Sequence, residues 1–550
     1  MPTVSAHIAH VAAAHVTEAF GLMGNGNAYF LDALDRTPVR FTAVRHEAGA
    51  VVAADAYYRA SGRIAVATAT YGAGFTNTLT ALAESVQARI PVLLVVGDAP
   101  TTGPRPWDVD QIAMAQAAGA RTFVAGVDDA SETAARAIEH ALAERTAVVL
   151  AIPYNLAARD AGPLTALREL RLPEPVEPAA DDIARVAALL AGARRPLLLA
   201  GRGAWLAGAG PALGRLAEAT GAVTASTALG RGVFPDARFD LGVTGGFGQE
   251  QAMGLIRDAD VVLVFGASLS QFTLRFGGLF AEGTRVVQLD VAGAATHPRV
   301  DDFVRADAAL AAAALADALA TRPETGGSTD ALPWRDTVDF APLRPLDTGT
   351  GFAPDGRLDP RTVAARIGEL LPADRVVVSD GGHFIGWANM YWPVASPDRM
   401  IMVGTAFQSI GLGFPSVPGA AAAKPDSTVV LTTGDGGGLM AIADLESAVR
   451  SAGGRGLAVV WNDTAYGAEV NLYGLKGLAE APMRIPQVDF AAVARGFGAE
   501  GVVVDSLAAL DRLADWAARP AAERPFLLLD CRVSPHIIAP YQHEVIRVNS

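Results

Sequence analysis

The sequence predicts an α/β protein of three doubly wound, parallel-sheet domains, and three observations carry that expectation. Short apolar runs alternate with alanine-rich helical patterns along the whole chain, as βαβ units require. Two polar, proline-containing stretches, Leu172–Asp182 and Thr321–Pro360, divide the chain into three cycles of strand and helix. Each cycle then spans about 150 to 200 residues, the size of an ordinary domain. The expected bounds are a first domain at 1–165, a middle domain at 178–325, a linker at 326–358 and a last domain at 359–550.

The elements follow in order. Met1–Phe20 has no basic leader and reads as an amphipathic helix rather than a signal peptide. The first cycle has strands at Arg40–Val44, Ile64–Thr70, Pro91–Gly97 and Ala147–Ile152, with helices at Glu47–Ala60, Thr76–Ala88 and Glu132–Ala143. The second has strands at Pro196–Ala200, Val261–Phe265 and Arg285–Asp290. The third has strands at Arg375–Ser379, Thr428–Thr433, Leu457–Trp461 and Phe526–Asp530. No internal repeat of short period is visible.

Composition narrows the function. No apolar run reaches the roughly 18 residues that a spanning helix needs, so no membrane partner is expected. A net charge of -14 over 550 residues argues against a phosphate-backbone partner, so no nucleic acid is expected. The single cysteine, Cys531, excludes an intrachain disulfide and follows an apolar run, which makes it a buried strand residue. These features lead to the expectation of a cytoplasmic, soluble, multidomain protein.

The strongest chemical signal lies in the last third. Thr428–Gly438 reads as a strand running into Gly434-Asp435-Gly436-Gly437-Gly438, followed by a helix and then a second strand ending at Asn462-Asp463. Glycines there permit positive φ and close approach of backbone amides to a phosphate. The next helix points its N-terminal partial charge the same way. Asp435 and Asn462 would thus sit at the carboxyl ends of two parallel strands, where such sheets bind ligands. Their hard oxygen donors suit Mg²⁺, with a diphosphate filling the remaining positions. A tight turn in which Asp435 only caps a helix is the bland alternative. No GxxxxGK[ST] string offers a nucleotide P-loop, and no strand leads into GxGxxG with a ribose-binding acid, as a Rossmann dehydrogenase needs.

Read with its partners, this segment resembles the motif of thiamine diphosphate enzymes, GDG followed about 25 residues later by Asn. In the first third, Arg45-His46-Glu47-Ala48-Gly49 followed by Ala56-Tyr57-Tyr58-Arg59-Ala60-Ser61-Gly62 is similar to the first-domain signature of acetolactate-synthase-like members, as are Tyr71–Asn77 and Pro91–Gly97. The resemblance covers nearly the whole chain and extends to benzoylformate-decarboxylase-type 2-oxo acid lyases and carboligases. It implies thiamine diphosphate and Mg²⁺ as cofactors, with Asp435, Asn462 and the backbone oxygen of Thr464 as metal ligands. Glu47 is implied as the catalytic carboxyl that protonates the cofactor's pyrimidine ring. Gly382, His383, Gln408, Ile410, Gly434, Gly436 and Gly437 are implied in cofactor binding, with Ile410 as the wedge between its rings and the Gln408 carbonyl accepting from its amino group. Substrate contacts fall on Asn25, Asn27, Thr70, Gln111 and Tyr466. A homodimer or homotetramer with its active site at the subunit interface is also implied.

Two departures bear on the reaction. Tyr466–Tyr473 replaces the segment that shapes the second-substrate site of acetolactate synthases, and Asp98–Trp107 lacks the adjacent His pair of pyruvate decarboxylases. The expected activity is therefore a lyase or carboligase acting on a 2-oxo acid. The alternatives are a 2-hydroxyacyl-CoA lyase or a sulfoacetaldehyde acetyltransferase type, or, in another class, a non-catalytic regulatory homologue. FAD is not expected, since Gly201–Gly203 and Phe265–Ser268 read as ordinary glycine turns, and a basic pocket for an acyl-CoA nucleotide is not seen, since Arg275 and Arg285 read as isolated surface charges.

Overall fold

The computed structural model describes residues 1–321, 332–343 and 345–549. Residues 326–331 and 344 of the expected linker lie outside the described residues.

Three six-stranded sheets organise the chain. The first contains β1 (Glu18–Gly21), β2 (Arg40–Ala43), β3 (Val66–Ala69), β4 (Val92–Asp98), β5 (Arg121–Val124) and β6 (Ala147–Pro153), in the order β2-β1-β3-β4-β6-β5. The second contains β7 (Pro196–Ala200), β8 (Val223–Ser226), β9 (Asp240–Val243), β10 (Val261–Phe265), β11 (Arg285–Asp290) and β12 (Asp302–Arg305), in the order β12-β11-β10-β7-β8-β9. The third contains β13 (Arg375–Ser379), β14 (Met400–Met402), β15 (Thr428–Gly434), β16 (Gly456–Asn462), β17 (Glu500–Val504) and β18 (Leu527–Arg532), in the order β14-β13-β15-β16-β18-β17. Every strand pairing in these sheets is parallel. The three-sheet α/β architecture expected from the sequence is therefore the observed one.

Parallel strands covered on both faces must be apolar throughout, so the central strands are continuous apolar runs. Unnamed by that pattern are β5, β9, β12, β14 and β17, all sheet edges, together with β8. Two expected helices also end differently. The N-terminal helix stops at His15, and Glu18–Gly21 becomes β1 because its four residues are wholly buried beside β2 and β3. Thr76–Ala88 is broken at Thr78, giving helices Ala73–Asn77 and Leu79–Gln87.

Among the described residues, Met1–Pro173, Gly349–Ala388 and Met400–Ile537 form one compact unit, so the first and third sheets belong together. The other unit comprises Glu174–Thr348, Asn389–Arg399 and Ile538–Ser550. Within the first unit a single hydrophobic core runs from Phe20 and Tyr57 to Phe414 and Phe490. The helix Glu47–Ser61 lies at its centre. His46 caps it by accepting from the Ala48 amide at 3.2 Å, and Gly62 ends it at φ +71°. Its alanines and valines are buried on every side, so it is a core helix and not an amphipathic one.

That helix meets the helix Gly413–Ala423 at backbone distance. A β-carbon at Gly419 would overlap the carbonyl oxygen of Ala53, which rigid backbone cannot yield. Gly419→Ala should therefore cost about 3 kcal/mol by overpacking, read as a lower urea midpoint. An unchanged midpoint would show that the two helices can separate freely.

In the second unit, the glycines at the ends of β7 and β10 pack on each other. Gly203 N–H donates to Gly266 O at 2.8 Å, and a β-carbon at Gly201 would sit 2.6 Å from Gly266 O. Arg275 is not the isolated surface charge expected of it: its side chain is largely buried and its Nε lies 3.0 Å from Glu544. Arg285 is exposed, as expected, with only Asp301 at 4.0 Å.

Candidate active site

Register places the two strongest candidates side by side. Gly434 at the end of β15 pairs with Trp461 near the end of β16, so Asp435 and Asn462 emerge as neighbours. Asp435 is held from two directions, its Oδ1 accepting from Gly436 N–H and its Oδ2 from Thr464 N–H, both at 2.8 Å. Asn462 donates both amide hydrogens inward, to Val488 O at 3.0 Å and to Asp530 Oδ1 at 2.7 Å. A flipped amide would set its oxygen against that carboxylate, so the Asn462 carbonyl oxygen is turned away from Asp530. Thr464 has φ +63°, a left-handed conformation that costs a threonine energy, and its carbonyl accepts from Ile485 N–H at 2.9 Å with one lone pair to spare.

The positive φ that the glycine run permits is not used. Gly434, Gly436, Gly437 and Gly438 are absent from the left-handed residues, and Asp435 opens the short helix Asp435–Met440 directly. Their lack of side chains serves close approach instead. A β-carbon at Gly436 would lie 2.6 Å from the Tyr466 ring, and one at Gly437 would lie 2.6 Å from Asp380 Oδ2.

Asp380, at the end of β13, ties these segments together. Its buried carboxylate accepts from Gly381 N–H (2.8 Å), Gly411 N–H (3.1 Å), Leu412 N–H (3.1 Å) and the Thr433 hydroxyl (2.8 Å). Burial pushes its carboxyl up to about 6, against the pull of those donors. Gly382, at φ +132°, follows immediately, and Ile410 packs over Gly381. One carboxylate thus gathers the 380–383, 404–412 and 433–437 segments, and brings together most of the residues expected in cofactor binding.

The site carries a dense charge. His383 Nε2 lies 2.7 Å from Asp463 Oδ2, while the other Asp463 oxygen is buried without a hydrogen-bond partner among the described residues. Burial alone would lower the His383 pKa, but the Asp463 carboxylate beside it raises it overall. Burial and then the Asp463 charge push Asp435 up to about 7. A carboxylate that reluctant to ionise is poised to gain from a bound cation. Among the described residues no three His, Cys, Asp or Glu side chains converge as a metal site. The donor set that fits Mg²⁺ is mixed: the Asp435 carboxylate, the Asn462 amide oxygen and the Thr464 backbone oxygen.

In the first sheet the candidates separate by role. Glu47 is the first residue of its helix, and its Oε2 accepts from Asn77 Nδ2 at 2.9 Å. Asn77 ends the segment Tyr71–Asn77, so two parts of the first-domain signature meet at this carboxylate. Asn25 is exposed. Asn27 is buried and committed to its own loop, donating to Leu22 O and the Thr68 hydroxyl and accepting from Gly24 N–H, each at 2.9 Å. Gln111 is likewise spent on backbone, accepting from Gly72 N–H at 2.6 Å and donating to Gly97 O at 2.9 Å. The Thr70 hydroxyl accepts from Gly26 N–H at 3.0 Å. Asn27, Thr70 and Gln111 therefore shape turns, and only Asn25 presents an uncommitted polar side chain.

Asp380, Asp463 and Asp530 were not singled out from sequence. The available signal was an acid at or near the end of an apolar parallel strand, most visibly Asp530 in Leu527–Arg532, where a buried charge needs a reason. Cys531 beside it is wholly buried, with its thiol pushed well up by burial.

Comparison with known proteins gives the family and the fold. A model described as "Thiamine pyrophosphate enzyme, N-terminal TPP binding domain" matches residues 2–117, its central-domain counterpart matches 183–315, and its C-terminal TPP binding domain matches 380–531. The sulfoacetaldehyde acetyltransferase of Castellaniella defragrans is 30% identical over 533 residues, covering 90% of this chain and 86% of that protein. A chloroplastic acetolactate synthase of Oryza sativa subsp. japonica is 28% identical over 563 residues, covering 96% and 83%. A solved structure, the thiamine diphosphate-dependent 4-hydroxybenzoylformate decarboxylase of Rhodococcus jostii RHA1, shares the fold with a TM-score of 0.78 at 21% identity, covering 97% of this chain and 99% of that one. Among the described residues no helix is long and apolar enough to cross a membrane.

Proposed function

The chain belongs to the thiamine pyrophosphate enzyme family, and from that premise we propose that it is a Mg²⁺-dependent lyase or carboligase acting on a 2-oxo acid. The observation that supports this best is the Asp435 carboxylate, fixed by two backbone amides beside an Asn462 amide whose oxygen is turned away from Asp530. Bound thiamine diphosphate supplies a nucleophilic carbon and an electron sink for the carbanion left when a C–C bond breaks.

Everything else is the work of this chain. Asp435, Asn462 and the Thr464 carbonyl would hold the metal that neutralises the diphosphate. Glu47 holds the proton that activates the pyrimidine ring. Gly382 and Gly436, whose missing side chains make way for the Phe384 and Tyr466 rings, would bring their backbone to the diphosphate, the Gln408 carbonyl would orient the amino group, and Ile410 would support the ring arrangement. His383, held by Asp463, would offer its imidazole to the diphosphate, and Tyr466, packed against Gly436, would meet the substrate. Because Asn27, Thr70 and Gln111 are bound into their turns, they define the pocket wall, while Asn25 is the group left to meet substrate. The expected assembly is a homodimer or homotetramer in which Glu47 of one protomer serves the cofactor domain of its partner.

A panel of 2-oxo acids, each with and without an acceptor aldehyde, assayed for CO₂ and carbonyl products, tests this. Turnover of at least one 2-oxo acid, lost on removing Mg²⁺ with a chelator and restored by adding it back, is the expected result. Sulfoacetaldehyde belongs in the panel because of the 30%-identical relative of that name. Turnover of sulfoacetaldehyde alone would replace the 2-oxo acid reading, and no thiamine-dependent turnover of any member would remove it.

A further inference from the structure

The helices Glu47–Ser61 and Leu79–Gln87 bury three charges against each other. Arg59, Asp55 and Glu84 all lie out of solvent, with side-chain exposures of 5%, 0% and 0%. Arg59 Nε lies 2.5 Å from Asp55 Oδ1, and its Nη2 reaches Glu84 Oε1 at 3.2 Å. The Ser85 hydroxyl donates to Asp55 Oδ2 at 2.8 Å. Two carboxylates facing one guanidinium leave a surplus negative charge, and burying such a charge is costly unless a further donor meets it. The donor comes from the other sheet's domain: Phe407 N–H gives its hydrogen to Glu84 Oε2 at 2.7 Å.

We propose that Glu84 is a positioning residue that latches the loop Gly404–Gly411 in the conformation that holds the cofactor. This deepens the thiamine diphosphate reading of the same site and rests on it. The loop is a strained segment, with Gly404 at φ +103°, Gln408 at φ +58° and Gly411 at φ +83°. Gln408 is not glycine, so its left-handed backbone persists only where the surroundings enforce it. Two buried carboxylates do so. Asp380 takes the amides of Gly411 and Leu412 at one end, and Glu84 takes the amide of Phe407 at the other. The residues left between the clamps are Gln408, Ser409 and Ile410, two of them assigned to the cofactor. Phe407 is 44% exposed in the single chain, so packing within the chain does not fix the loop there. The charge-assisted bond from Glu84 fixes it at that end.

The test compares Glu84→Gln, Glu84→Ala and Ser85→Ala with wild type, measuring the Kd for thiamine diphosphate with Mg²⁺ by calorimetry, the thermal midpoint, and kcat and KM for the best 2-oxo acid. Glu84→Ala should weaken cofactor binding by about tenfold or more and lower kcat with little change in substrate KM. Glu84→Gln, which keeps an acceptor oxygen but loses the charge, should fall between the two. Ser85→Ala disturbs the same buried cluster without touching Phe407, and should lower the midpoint while leaving the cofactor Kd unchanged. If Glu84→Ala does not fold, Glu84→Gln decides. Cofactor affinity equal to wild type in the folded Glu84 variants would overturn the latch and leave a purely structural ion cluster. Wild-type protein that fails to bind thiamine diphosphate would instead overturn the functional reading beneath it.

Discussion

Glu47→Gln should cut turnover by about 100-fold or more while thiamine diphosphate still binds, because positioned proton transfer contributes roughly 10²- to 10⁴-fold. The substitution is nearly isosteric. Its side-chain oxygen still accepts from Asn77 Nδ2, now 2.9 Å from Glu47 Oε2, so the helix start and the Tyr71–Asn77 segment remain in place. What is lost is the ability to hold and return a proton. Calorimetry should give a cofactor Kd within a few-fold of wild type, with kcat falling and substrate KM little changed. Turnover within threefold of wild type would remove Glu47 from the mechanism.

The same variant tests whether the site is shared between protomers. If Glu47 serves the partner's cofactor, mixing Glu47→Gln protein with Asp435→Ala protein rebuilds activity. A mixed dimer then has one site with both defects and one site with neither. If each protomer is self-sufficient, every site in the mixture carries one defect and activity stays low. Recovered turnover on mixing and re-forming dimers is the expected result.

How much was legible in the sequence follows from how each residue is held. The central strands were visible because a parallel strand buried on both faces must be apolar from end to end. Edge strands such as β14 and β17 were not, since they are short or half-exposed and owe their state to the neighbour they pair with. Asp435 and Asn462 could be found because each follows an apolar strand in a glycine or Asn-Asp turn. The conformation of that turn could not. The glycine run permits positive φ without adopting it, whereas two non-glycine residues of the site, Gln408 and Thr464, are left-handed although their side chains favour nothing of the kind. Asn27 and Gln111 were read as substrate contacts from the family resemblance. How they are held could not be read, because their hydrogen bonds go to backbone groups and, for Asn27, to the Thr68 hydroxyl as well. Asp380 and Glu84 escaped notice for the related reason that their partners lie 31 to 32 and 323 residues away in sequence.

Asp435→Asn should abolish Mg²⁺-dependent retention of thiamine diphosphate and also flatten the protein's pH–stability curve. The first effect is direct, since losing a protein ligand should weaken retention by about 100-fold or more, at or above what lost supporting contacts cost a metal site. The second comes from linkage. Burial and the neighbouring Asp463 push the Asp435 carboxyl up to about 7 in the folded protein, against about 3.9 when unfolded. Below the unfolded value both states are protonated and the group contributes nothing. Between roughly pH 4 and 7 the unfolded chain has released this proton and the folded one has not, so stability falls as pH rises, by at most about 1.4 kcal/mol per pH unit. Above about pH 7 the penalty is complete and the curve is level. Asp380, pushed up to about 6, adds a penalty of the same sign that is complete about one unit lower. The asparagine side chain introduced by the substitution does not titrate, so the variant should lose less stability than wild type between pH 5 and pH 8, whatever its absolute midpoint. A cation at the site favours the ionised carboxylate, so saturating Mg²⁺ with thiamine diphosphate should stabilise wild type most at high pH and the variant hardly at all. Thermal midpoints taken across pH, with and without the ligands, provide the check. Parallel wild-type and variant curves would show that Asp435 is ionised throughout that range, and a ligand-induced rise in the variant equal to wild type would place the metal elsewhere.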